Sequence, residues 1–247
     1  MRTFNVAIEI AVAALIVALL PIERVGAASV TIASTDAIWN YGGTSVAGSG
    51  STTPVEIAIT PGSGQVLTFS SVTGAVSLTA TAYGPDGHAP GCPPGACSID
   101  VSAAAGLSGI ISDRIAFLGG VFLNGHEADL GHVTPATLDF TSFNFSSLTP
   151  AIDQVFYIGD GLTGTDSGPL QQFIVPSDAT FLVLGIADAN GYSGPPGAYF
   201  DNSGSFSATL RIASAAAPLP GALSLFASSV GVMSLLARRR RRKPQPS

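Results

Sequence analysis

The chain has 247 residues, of which 46% are hydrophobic and only 11% charged, with a formal net charge of −6. Between residues 29 and 217, fourteen acidic side chains stand against two basic ones, Arg114 and Arg211, so this stretch alone carries −12. A surface so poor in Lys and Arg excludes nucleic-acid recognition through phosphate contacts and suits bound cations.

The first predicted element is an export signal. Arg2 precedes an apolar run from Val6 to Leu20, interrupted by Glu9 and closed by Pro21, Glu23 and Arg24. Gly26-Ala27-Ala28 then supply the small residues that signal peptidase accepts. Residues 1–28 are therefore expected to be removed on export.

Residues 29–213 are expected to form one domain, because nothing in them reads as a linker and the length suffices for one core. Helical periodicity is hard to find. Runs rich in Val, Ile, Phe and Thr recur at Val55–Thr60, Gln65–Val72, Val76–Ala82, Ile115–Leu123, Gln154–Ile158, Leu170–Val175, Thr180–Ala187 and Ser205–Ile212. Gly, Pro, Asn and Asp punctuate them, as in antiparallel all-β domains. In the last run Phe206, Ala208, Leu210 and Ile212 fall on one face. The predicted fold class is all-β, a β-sandwich or jelly roll.

Between the third and fourth of these runs, Cys92 and Cys97 enclose Pro93-Pro94-Gly95-Ala96. In an oxidising compartment they are expected to close a small disulfide loop, which the chain-entropy model values at roughly 2 kcal/mol. The spacing is not CxxC and there is no second pair, which argues against zinc.

No catalytic constellation emerges. His126-Glu127 and His132 have the wrong spacing for HExxH, and Gly191-Tyr192-Ser193-Gly194 is not a nucleophile elbow. Carboxylates are plentiful but nominate no particular acid–base pair. Trp39, the only tryptophan, reads as core. The protein is expected not to be an enzyme.

Two loops are rich in oxygen donors. Gly159 to Gly168 reads as a Gly/Asp turn linking two strands, since the EF-hand pattern is missing. Ile186 to Phe206 is denser: Asp188 at a strand end, a Gly/Pro-rich loop, then Asp201-Asn202 before the next strand. Carboxylates, a carboxamide and bent-loop carbonyls are the hard donors Ca²⁺ takes, although the same residues also serve ordinary turns.

Tyr83-Gly84-Pro85, Cys92 and Cys97, Phe156-Tyr157-Ile158-Gly159, Asp188, and Ala198-Tyr199-Phe200-Asp201-Asn202-Ser203-Gly204-Ser205-Phe206-Ser207 follow one another in a familiar order. In this the chain resembles the PA-IL family of bacterial galactose-binding lectins, small jelly rolls with one calcium. The likeness is strongest in the last ten residues and covers roughly 55–90 and 154–212. Residues 98–153 look like an insertion without a counterpart in the lectin. The resemblance implies that Ca²⁺ is held by the backbone oxygens of Tyr83 and Ala198 and the side chains of Asp188, Asp201 and Asn202. Two sugar hydroxyls would complete the sphere, with Asp188 and Asp201 touching the sugar and His88 standing in for a family histidine. Ala198 replaces a threonine, Asp201 an asparagine and Phe200 a glycine, and the loop after Tyr83 is shorter than the lectin's.

The final element is residues 214–247. Pro218-Leu219-Pro220 leads into an uncharged run that ends at Ala237, followed by Arg238, Arg239, Arg240, Arg241, Arg242 and Lys243. As a helix, 219–237 would be roughly 28 Å long, enough to span a bilayer with its basic end on the cytoplasmic side. This three-part layout resembles the PEP-CTERM sorting tail of Gram-negative bacteria, with Leu219 in place of the usual glutamate. The resemblance implies export, an inner-membrane-anchored precursor, processing by an exosortase, and delivery to the cell surface or matrix. The expected function is calcium-supported carbohydrate binding, with polysaccharide as the partner. The alternative is a structural matrix or envelope protein in which calcium only pins loops.

Overall fold

The computed structural model describes residues 27–43, 46–78, 81–88, 98–125, 133–164 and 167–214. Residues 1–26 of the export signal, Cys92, Cys97, His126, Glu127, His132 and the sorting tail beyond Ser214 lie outside them, whereas Ala28, expected as the last residue of the signal, opens the first strand. The chain divides after Ala213 into two units, and the first is described here.

The architecture is all-β, built on three sheets. A five-stranded sheet runs in the order β1 (Ala28–Ala33), β13 (Ser203–Ser214), β3 (Gln65–Ser77), β10 (Gln172–Ile174) and β8 (Ser147–Leu148). A four-stranded sheet has the order β2 (Val55–Ala58), β11 (Phe181–Ile186), β6 (Leu118–Leu123) and β9 (Val155–Tyr157). The third sheet contains β12 (Ser193–Gly194), β4 (Ile99–Val101), β5 (Ile110–Ser112) and β7 (Leu138–Phe140). Helical structure among the described residues is limited to 3₁₀ turns at Ile38–Gly43, Asn190–Tyr192 and Tyr199–Asp201.

Side-chain alternation explains β13. Phe206, Ala208 and Leu210 are buried while Ser207 and Arg211 face outward, as a strand covered on one face requires. It pairs antiparallel with β1, Ile32 opposite Phe206. The central strands β11 and β6 follow another logic: FLVLGI and LGGVFL are almost entirely buried, so both faces are covered and no alternation survives. The five- and four-stranded sheets meet through aromatic rings. Phe173 of β10 lies 6.0 Å from Phe69 of β3 and 5.3 Å from Phe156 of β9, which in turn lies 5.1 Å from Phe122 of β6. Such tilted and edge contacts add to area burial.

Trp39 is fully buried, and its indole N–H donates to the Ser108 carbonyl at 3.2 Å. The Tyr41 hydroxyl donates to the Ala105 carbonyl at 2.7 Å. Together they fasten the 3₁₀ turn at 38–43 to the chain entering β5.

The structure differs from the expected strands in two places. Val76–Ala82 is not a separate strand; β3 continues unbroken through Gly74 to Ser77. Gly74 takes φ +105 with its missing Cβ 2.3 Å from the Ser205 carbonyl oxygen, and Gly204 takes φ +92 with its own 2.2 Å from that of Ala75. These reciprocal glycines let β3 and β13 approach where any side chain would clash. Residues 98–153, expected as an insertion, contribute to all three sheets. They supply β6, a central strand of the core, β8 at the edge of the five-stranded sheet, and β4, β5 and β7 of the small third sheet.

Gly185 is a sharp test of this packing. A Cβ there would lie 2.5 Å from the Asp36 carbonyl oxygen, which already accepts the Ile186 N–H at 2.7 Å. Gly185→Ala is expected to destabilise the fold by about 1–3 kcal/mol in urea unfolding. Gly84→Ala, with nothing within 4 Å of the new methyl group, should stay within about 0.5 kcal/mol of the parent.

Candidate functional site

The chain leaves β11 at Ile186, and two residues later Asp188 sits almost completely buried, 2% exposed. Tyr199, fully buried, holds this strand end from across the loop. Its hydroxyl donates to the Ile186 carbonyl at 2.8 Å and accepts from the Asp188 N–H at 3.2 Å. Burial, reinforced by the Asp188 charge, raises the Tyr199 phenol well above its ordinary range, so it stays neutral. The Asp188 carboxylate accepts one hydrogen bond, from Ala189 N–H to Oδ1 at 2.8 Å. Oδ2 is buried without a partner.

Asn202 follows the 3₁₀ turn Tyr199–Asp201 and precedes β13. Its Nδ2 donates to the Ser34 carbonyl at 3.0 Å, which fixes the carboxamide. Its Oδ1 is likewise buried and unpartnered. Desolvation pushes the Asp188 carboxyl up to about 7; the neighbouring Asn202 side chain and the Ala189 N–H pull it down, and Asp201 pushes it further up. Those influences bring Asp188, Asn202 and Asp201 to one locality. Asp201 itself is exposed.

The two residues expected to offer backbone oxygens lie on segments that lead to the Tyr199–Gly204 stretch. Ala198 adopts φ +66, a left-handed conformation unusual for alanine, and starts the 3₁₀ turn that carries Asp201. Tyr83 pairs with Val76 through N–H···O bonds of 2.9 and 2.8 Å, and Val76 lies against Gly204, two residues beyond Asn202. The Tyr83 carbonyl accepts from Val76 but retains a second lone pair. The His88 ring packs on the Tyr83 ring at 4.4 Å between centroids. Phe200 is 70% exposed, and the Gly48–Gly50 turn packs beneath its backbone, with the missing Cβ of Gly50 2.4 Å from Phe200 Cα.

Two features at this site carry no signal in residue spacing. Tyr199 fixes the strand end through its hydroxyl, and the Ser34 carbonyl orients Asn202 from 168 residues away. The long loop between Asp188 and Ala198 is tied down by 98–153: β12 pairs in parallel with β4, and Ser102 N–H donates to the Gly194 carbonyl at 2.8 Å. In the described part of the Gly159–Gly168 loop, Asp160 Oδ1 accepts the Leu162 N–H at 2.7 Å, and Leu162 bridges Leu170.

What this arrangement can do follows from its donors. Among the described residues no group of three or more His, Cys, Asp or Glu side chains gathers to bind a metal. The side chains that do meet at Asp188 are two carboxylates and a carboxamide, hard oxygens that suit Ca²⁺ and not zinc. The orphaned Oδ2 of Asp188 and Oδ1 of Asn202 fit such an ion, because a cation would satisfy both where no N–H does. Among the described residues no helix is long and apolar enough to cross a membrane. No family model matches the chain, and no curated protein matches it significantly.

The raised carboxyl gives a pH test. Asp188 titrates near 3.8 when unfolded and at about 7 when folded, so between those values the native state holds the extra proton. Its contribution is complete below pH 3.8 and is lost as pH rises through 7, a span of about 4 kcal/mol. In chelator, melting temperatures of the parent should fall across that window relative to those of Asp188→Asn. Parallel pH profiles for the two proteins would contradict the assignment.

Proposed function

We propose that this chain is an exported, calcium-supported carbohydrate-binding module, delivered by its signal peptide and sorted by its C-terminal tail through an exosortase. The observation that carries the reading is the pair of buried, donorless oxygens, Asp188 Oδ2 and Asn202 Oδ1, at one end of β11 and β13. Asp188, Asp201, Asn202 and the carbonyls of Tyr83 and Ala198 would hold Ca²⁺, and the ion, when bound, offers open positions to the vicinal hydroxyls of a sugar. Phe200, exposed beside this set, provides an apolar face for a pyranose ring. We further propose that the five- and four-stranded sheets, joined by Phe69, Phe173, Phe156 and Phe122, are the two layers of a lectin-type jelly roll. The protein needs no catalytic group for this role.

One observation favours the structural rival. His88, the candidate sugar contact, is packed on the Tyr83 ring at 4.4 Å, so it serves the loop at least as much as any ligand. The two readings separate cleanly in the full-length chain kept in a mild detergent. Calcium at 100 times its Kd should stabilise the fold by about 2.7 kcal/mol, visible as a higher melting temperature, and Asp188→Asn/Asp201→Asn should abolish the rise. The same protein should be retained on one of a panel of immobilised glycans and released by chelator. Stabilisation by calcium without retention on any glycan would establish the structural role. Absence of a calcium effect would remove the calcium-supported lectin reading.

A further inference from the structure

A second cavity shares no residue with the Asp188 set. It measures about 440 Å³, within the range of small-molecule sites, and is lined by Asp113, Arg114, Thr141, Ser142, Phe143 and Asn144. Arg114 is its centre. Only 4% of this residue is exposed, and it is one of the two arginines in a stretch with fourteen acidic residues. Yet no carboxylate among the described residues forms an ion pair with it. Its Nη1 donates to the Asp86 carbonyl at 3.2 Å, its Cζ stands 4.5 Å from the centre of the Phe143 ring, and its Nε is buried with no partner. The Asp86 side chain belongs to the same neighbourhood but makes no ion pair with the guanidinium: its Oδ1 accepts the Asp160 N–H at 2.8 Å and the Tyr157 hydroxyl at 3.2 Å, and its Oδ2 is buried without a hydrogen-bond partner.

A buried guanidinium that makes no ion pair is expensive, and one held against an aromatic ring presents a preorganised fork to a carboxylate. The other walls are short polar side chains. Thr141, Ser142 and Asn144 line the cavity, are exposed, and offer hydroxyl and carboxamide groups. Asp113, exposed at the same cavity, accepts hydrogen bonds from hydroxyls but repels a second negative charge. Room for one negative charge, surrounded by partners for hydroxyls, defines a ligand class.

We propose that this cavity binds a monoanionic sugar acid of the hexuronate type. Its carboxylate would sit on Arg114 and its hydroxyls on Thr141, Ser142, Asn144 and Asp113. The site is separate from the Asp188 reading and needs no calcium, so either can fail alone. An acidic polysaccharide would then meet the protein at two places by two chemistries.

The test is saturation-transfer NMR on the full-length chain in mild detergent, with chelator present to silence any calcium-dependent binding. D-Glucuronate should bind, whereas glucose (hydroxyls without the carboxylate) and acetate (carboxylate without the hydroxyls) should each bind at least tenfold more weakly. Arg114→Lys should lose at least tenfold. Because that change can also disturb folding, Thr141→Ala and Asn144→Ala provide the independent arm. Both residues are exposed, and each change should weaken glucuronate several-fold with unchanged thermal unfolding. Asp188→Asn/Asp201→Asn should bind glucuronate as the parent does. Equal binding of glucose, displacement by sulfate as effective as by glucuronate, unaltered affinity in both alanine variants, or no glucuronate signal would each overturn the proposal.

Discussion

Two oxygen atoms without donors dominate the physics of this fold. Asp188 Oδ2 and Asn202 Oδ1 lie buried at the end of the β11 strand and the start of β13, and neither has a hydrogen-bond partner of good geometry. Leaving such atoms unsatisfied costs about 1–3 kcal/mol each, and more for a charged group. The neighbouring backbone and amide groups, by contrast, are paired. Tyr199 binds the backbone on both sides of Ala187, Ala189 N–H takes the other Asp188 oxygen, and Ser34 takes the Asn202 amide. Buried oxygens without a hydrogen-bond partner, here on two side chains that neighbour one another, are the atoms a cation would satisfy.

Strand packing places those oxygens. The glycines at 74 and 204 allow β3 and β13 to close on one another, which brings Val76, and with it Tyr83, against the start of β13. Gly50 lets a surface turn support the Tyr199–Phe200 backbone from the other side. The loop from 189 to 198 would be free to wander but for its parallel pairing with β4. Thus segments from four distant parts of the sequence fix one small volume, and the rigidity needed for selective coordination comes from the sheets and not from the loop itself.

How much of this was legible in the sequence depended on the type of constraint. The alternation in Ser205–Ile212 gave away a one-sided strand, and Phe206, Ala208 and Leu210 are indeed inward. Trp39 read as core and is fully buried. The three-residue strands of 98–153 escaped notice, because a period of two cannot be established over so few residues. Gly74 looked like a strand break when it is a point of contact, and only the partner across the sheet tells the two apart. At the site, Asp188 and Asn202 were legible as oxygen donors near strand ends. The long-range carbonyl of Ser34 and the hydroxyl bridge of Tyr199 were not, since neither residue type at its position differs from ordinary strand or turn usage. Arg114 was visible as a rare basic residue, but its burial over Phe143 depends entirely on tertiary packing.

The most direct measurement is anomalous diffraction from crystals of the full-length chain grown with calcium. The account predicts one anomalous peak in contact with Asp188 Oδ2 and Asn202 Oδ1. The Tyr83 and Ala198 carbonyls and Asp201 should complete the protein ligands at about 2.3–2.6 Å. Crystals in which those two oxygens instead contact an ordered water or a protein donor, with no anomalous signal between them, would contradict it.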